Sequence, residues 1–105
     1  MALDLEQKEL NGQIVIEAKG DVDLYSSPKL RDNILKAIPK TETTLGIDLS
    51  AVGYMDSSGV ATLVEGLKLA GKKKKTFKLL APSDSVMKVL TLSRLDAVFT
   101  IAESL

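Results

Sequence analysis

The sequence predicts an α/β domain in which a mixed, largely parallel sheet carries helices packed on it, in the order β-β-α-β-α-β-α-β. Apolar residues alternate in short runs and then recur at helical spacing, and the two periods take turns along the chain. An Asn-Gly dipeptide joins the first two alternating runs, so the chain opens with a hairpin. Every later strand-like run is separated from the next by a helical one, which is how parallel strands are connected.

The opening run, LDLEQKEL, puts Leu3 and Leu5 in step. Residues 13–19, QIVIEAK, place Ile14, Ile16 and Ala18 on one face with Val15 and Glu17 on the other. Asn11 and Gly12 between them tolerate the positive φ that a tight hairpin turn needs. The next residues, GDVDLY, read as a loop. Ser27-Pro28 reads as a cap followed by a first helical residue that has no amide to leave unpaired. Leu30, Ile34, Ala37 and Ile38 then form an apolar stripe, ended by Pro39.

Residues Thr43 to Leu49 alternate again, with Leu45, Ile47 and Leu49 facing one way and Asp48 the other. Val60, Leu63, Val64 and Leu67 follow the i, i+3, i+4, i+7 rule of a helix ending near Gly71. Residues 76–81, TFKLLA, suit a buried strand, and Pro82-Ser83-Asp84 opens a short helix with Val86, Val89 and Leu90 inward. Val98 to Ile101 make a last short strand.

Composition narrows the function. A chain of 105 residues makes one domain, taken as residues 1–105. Lys+Arg and Asp+Glu both number 14, which argues against direct DNA binding by general phosphate neutralisation. There is no cysteine and no histidine, so disulfides, Cys/His metal sites and the usual general base are excluded. No metal or other cofactor is expected. The start, MALDLEQKEL, carries acids where a signal peptide has a basic patch. No run approaches the ~20 apolar residues of a bilayer span, so a cytoplasmic protein without membrane insertion is expected.

The stretch YMDSSGVATLVEGL carries the densest polar signal. Asp56 or Ser57 can cap the helix that follows, but capping needs one such side chain and three polar residues stand in a row. Gly59 is a poor residue for a first turn unless another backbone or a ligand approaches it closely. A hydrolase nucleophile does not fit. Aligned on Ser57, the G-x-S-x-G elbow has Met55 in its first glycine position, and no histidine is available.

Two other stretches compete for a role. GLKLAGKK, residues 66–73, matches the glycine and lysine positions of a phosphate-binding loop but puts Lys73 where the hydroxyl belongs. It also closes a helix instead of opening one, so Lys72 to Lys75 read as a solvated turn. In GDVD, Asp23 gains meaning if the fold brings it near Asp56, where paired-carboxylate hydrolysis would be conceivable. Two tyrosines and two phenylalanines are little to line a substrate cleft with.

On Gly20-Asp21-Val22-Asp23, Ile47-Asp48-Leu49-Ser50 and above all Met55-Asp56-Ser57-Ser58-Gly59-Val60, the chain resembles the STAS domain family along nearly its whole length. The resemblance is strongest to stand-alone bacterial anti-sigma factor antagonists, although Val60-Ala61 replaces the Leu-Gly often found there. It implies the STAS fold and a role as a binding module, not an enzyme. It implies that Ser57 is the phosphoacceptor, with Asp23, Asp56, Ser58 and Gly59 as its partner-binding surroundings. The implied partners are an anti-sigma factor that doubles as a serine kinase, and a phosphatase that reverses the modification. The unmodified protein would bind the anti-sigma factor and release the sigma factor. Other STAS proteins serve as accessory subunits of ABC-type lipid transporters or as scaffold subunits of stress-sensing complexes, and these are the alternatives. A phosphate on Ser57 would meet free helix amides while adding negative charge beside Asp56.

Overall fold

A computed structural model describes residues 2–105. The elements run β1 (Asp4–Leu10), β2 (Gln13–Val22), α1 (Ser27–Ala37), β3 (Thr44–Met55), α2 (Ser57–Lys72), β4 (Thr76–Leu80), α3 (Asp84–Leu92) and β5 (Thr100–Ala102). The strands form one sheet in sequential order, with β1 antiparallel to β2 and every later pair parallel. Order and mixed pairing agree with the sequence reading. A sheet that grows in one direction by right-handed crossovers puts its helices on one face. Accordingly the buried apolar side chains of all the helices join a single cluster with Ile14, Ile16, Ala18, Leu45, Ile47, Leu49, Phe77 and Leu79.

The hairpin turn is as expected, with Asn11 at φ 54° and Gly12 at φ 78°. The α1 stripe of Leu30, Ile34, Ala37 and Ile38 is fully buried. In α2, Val60 and Leu63 are buried, while Val64 and Leu67 pack half-buried at the edge of the cluster. In α3, Val86 and Leu90 are buried and Val89 is half-buried.

Four boundaries differ from the sequence reading, each for a physical reason. Residues Gly20 to Val22 are not loop: β2 continues through them to pair with the end of β3. Gly20 sits at φ 122°, and a Cβ there would fall 2.2 Å from the Ala2 carbonyl oxygen, so this strand position requires glycine. Strand β3 likewise runs on past Leu49 to Met55, with register shifts against β2 between Glu17 and Lys19 and between Gly20 and Asp21. Each shift adds a residue to β3, so its buried positions become Leu49, Val52 and Met55, three apart.

The cap of α1 is Ser26, not Ser27. The Ser26 hydroxyl caps no helix amide because it is committed to the Asp21 carbonyl and the Asp23 backbone amide. The last strand starts at Thr100, leaving Val98 exposed, with its amide donating to the Leu95 carbonyl in a turn.

Helix α2 approaches its neighbours closely through glycine. A Cβ on Gly66 would lie 2.8 Å from Ile34 Cγ2 and 2.9 Å from the Phe77 ring, and both neighbours are buried and unable to yield cheaply. Gly71, near the end of the same helix, has nothing within 4 Å of that position. Alanine is a better helix former by roughly 1 kcal/mol. Gly71→Ala should therefore stabilise the protein by several tenths of a kcal/mol up to about 1 kcal/mol, whereas overpacking at Gly66→Ala should destabilise it by about 1–3 kcal/mol. Urea unfolding of the two variants checks the opposite signs.

Candidate functional site

The carboxyl ends of β2 and β3 meet the N-terminus of α2 at one rim of the sheet, the position where open α/β sheets gather their sites. Val22 stands beside Met55 in the parallel ladder, and the Asp56 amide extends that ladder by donating to the Val22 carbonyl at 3.1 Å. The strand thus ends as the helix begins, which places Asp56, Ser57 and Ser58 on the rim.

Asp56 is the N-cap, in extended conformation, and its Oδ1 accepts from the Ser58 amide at 2.9 Å and the Gly59 amide at 3.4 Å. The same oxygen accepts the Ser58 hydroxyl. These bonds hold the Asp56 carboxyl below the usual carboxylate range: the Ser58 hydroxyl contributes most, burial opposes it, and the Ser58, Gly59 and Leu24 amides add to the lowering. Asp56 is therefore ionised at neutral pH.

The two serines differ sharply. Ser58 is half-buried with its hydroxyl committed to Asp56. Ser57 is exposed at the first helical position, and its hydroxyl has no hydrogen-bond partner among the described residues.

Gly59 lies below the surface. It is buried, and a Cβ on it would sit 2.6 Å from Met55 Cγ and 2.8 Å from Val22 Cγ1. The close approach anticipated at this glycine is made by the protein's own core side chains. Gly59 is thus not part of the exposed rim, and its role here is to let α2 start directly on the strands.

Asp23 begins the loop between β2 and α1. Its Oδ1 accepts from the Tyr25 amide at 2.9 Å and the Ser26 amide at 3.0 Å, and the Ser26 hydroxyl bonds back to the Asp23 amide at 2.9 Å. The Ser26 amide is the main reason the Asp23 carboxyl is held low, and the charge of nearby Asp56 acts the other way. The fold does bring the two carboxylates within electrostatic reach. It does not make them an acid–base pair, because neither carboxyl is raised as a general acid requires. A surface groove of about 660 Å³ lies elsewhere, against Glu17, Lys19, Lys29, Asp48 and Ser50.

Sequence reasoning passed over the apolar residues of this rim. Leu24 and Tyr25 project from the Asp23 loop, and Tyr54 stands beside Asp21 at the end of β3; all are exposed. The signal was present, since each tyrosine lies within two residues of a rim aspartate in sequence, in DVDLY and YMD.

Similar proteins give the arrangement a context. A family model described as "Mlab, STAS domain" matches residues 6–102. The anti-sigma-B factor antagonist of Bacillus subtilis (strain 168) is 29% identical over 104 residues, covering 97% of this chain and 93% of that protein. A crystal structure of an anti-sigma factor antagonist from Mycobacterium paratuberculosis superposes with a TM-score of 0.88 at 25% identity, over 99% of this chain and 88% of that one. The anti-sigma factor antagonist SpoIIAA in its unphosphorylated form is 28% identical with a TM-score of 0.77, over 96% of this chain and 88% of that one.

Removing the cap tests the electrostatics of the rim. Asp56→Ala should lose about 1 kcal/mol of stability near neutral pH. A group held below its ordinary value of 3.8 stabilises the folded state above that value and loses the contribution as pH falls through the folded pKa. The gap between wild type and Asp56→Ala should therefore close in acid below pH 3.8, as measured by urea unfolding across pH.

Proposed function

The chain belongs to the STAS domain family, and from that premise we propose that it is an anti-sigma factor antagonist switched by phosphorylation of Ser57. In this reading it is a cytoplasmic binding module. The unmodified rim docks on an anti-sigma factor that also acts as its serine kinase, which frees the sigma factor, and a phosphatase resets the system. Relatives over almost the whole chain bear the name of anti-sigma factor antagonist, and a structure of Bacillus SpoIIAA exists in a phosphorylated form (27% identical, TM-score 0.71).

One observation carries the assignment of the serine. Of the adjacent hydroxyls, Ser57 is exposed and unbonded, while Ser58 is occupied in holding Asp56. A phosphoryl acceptor must reach the attacked phosphorus in line, and an exposed side chain with an uncommitted hydroxyl does so without first leaving its place in the fold.

The switch is repulsive rather than conformational. A phosphate adds about −1.5 to −2 charge. The Ser58 and Gly59 amides that could have received it already serve Asp56, so the free-amide welcome expected from the sequence is largely taken. Instead the phosphate joins two ionised carboxylates, Asp56 and Asp23, neither of which is ion-paired among the described residues. Docking would bury this added charge at a cost of several kcal/mol. Since about 1.4 kcal/mol is tenfold in affinity, a hundredfold or greater loss needs no refolding.

Treatment with the cognate kinase should leave phosphate on Ser57, and Ser57→Ala should accept none while still binding the anti-sigma factor. Phosphate located on Ser58 by mass spectrometry overturns the assignment. Ser57→Glu should weaken binding by calorimetry, and an unchanged affinity would remove the repulsion mechanism. Co-purification of the wild type with a transporter ATPase in place of an anti-sigma kinase would shift the role to that of an accessory transport subunit.

A further inference from the structure

Aromatic residues are scarce in this chain, and the fold divides them in two. The phenylalanines, Phe77 and Phe99, are buried against each other with ring centroids 6.5 Å apart. The tyrosines, Tyr25 and Tyr54, are 89% and 52% exposed, and both stand on the rim that carries Ser57. Leu24, beside Tyr25, is 69% exposed.

The loop that carries Leu24 and Tyr25 is tied down through its backbone. The Asp23 carboxylate fastens the Tyr25 and Ser26 amides, and the Ser26 hydroxyl donates to the Asp21 carbonyl at 2.7 Å. The Leu24 amide lies near enough to the Asp56 carboxylate to help hold that carboxyl low. A loop with its amides so committed loses little freedom on docking, which leaves more of the contact energy as affinity. Large apolar side chains that gain nothing from the core, carried in part on a backbone fixed in advance, have the properties of interface hot spots.

The same rim supplies the charge of the partner. Asp23 and Asp56 are ionised and without a cationic partner among the described residues. A surface that covers them must bring positive groups or pay their desolvation. We propose that Leu24, Tyr25 and Tyr54 are the apolar anchor of the docking surface, and that they seat in an apolar pocket edged by lysine or arginine on the anti-sigma factor. This rests on the antagonist reading above. The anchor and the switch are then separate parts of one surface: the tyrosines supply affinity insensitive to salt, while the carboxylates and Ser57 supply the charge that phosphorylation changes.

The test titrates wild type and variants against the purified serine-kinase anti-sigma factors of the source organism, at low and high salt. Tyr25→Ala should weaken binding at least about tenfold, by the same factor at both salts. Asp23→Asn should weaken it chiefly at low salt. The anchor residues are exposed, and circular dichroism confirms that each variant keeps its fold. If the triple variant Leu24→Ala, Tyr25→Ala, Tyr54→Ala binds as tightly as wild type while Ser57→Glu does not bind, the anchor is wrong and the antagonist reading stands. If wild type binds none of these kinases, the antagonist reading fails and the anchor falls with it. Sedimentation of the chain alone covers the remaining occupant: a wild-type dimer that Tyr25→Ala dissociates would assign the patch to a second copy and overturn the proposal.

Discussion

The rim depends on the Asp56 carboxylate. Its backbone amide extends the β2–β3 ladder, and its side chain caps α2. The same carboxylate accepts the Ser58 hydroxyl, and the Leu24 amide of the neighbouring loop helps hold the carboxyl low. One residue thus ties the end of β2 to the start of α2, which lies far along the chain from it. It also distinguishes the two serines, because it takes the Ser58 hydroxyl and leaves that of Ser57 without a partner among the described residues.

That arrangement needs close packing beneath it. Gly59 lets the first turn of α2 sit on Met55 and Val22, and no larger side chain fits without displacing them. The extra residues in β3 matter for the same reason, since they shift Val52 and Met55 into the core and carry the strand out to the rim. At the first bulge the Asp48 carboxylate accepts from the Ser50 amide at 2.9 Å and the Ser50 hydroxyl at 2.7 Å, satisfying a backbone group that the disrupted ladder would leave open. The site is therefore built from a slightly irregular strand pair.

The charge balance of the whole chain conceals its local polarity. Equal numbers of acidic and basic residues give no net charge, yet α2 begins at an acidic rim and ends in the run Lys72 to Lys75. The helix dipole agrees with both ends, favouring carboxylates at its start and lysines at its finish. A phosphate added at the acidic end would work against an existing local field.

The order of elements, the hairpin at Asn11-Gly12, the buried stripe of α1 and the placement of Asp56, Ser57 and Ser58 between a strand and a helix can all be read along the chain. Those features are local: they follow from turn chemistry, capping and the period of apolar residues, which neighbouring positions specify. The three-dimensional fold set how far β2 and β3 run: bulges replace the twofold period of β3 by a spacing of three, while β2 keeps its alternation and is disguised by the turn-like Gly20 and Asp21. It alone separated the serines, since that depends on which hydroxyl reaches the Asp56 oxygen. It alone gave Gly59 to the core and the tyrosines to the surface, because burial depends on what crosses above a residue and not on the residue's neighbours in the chain.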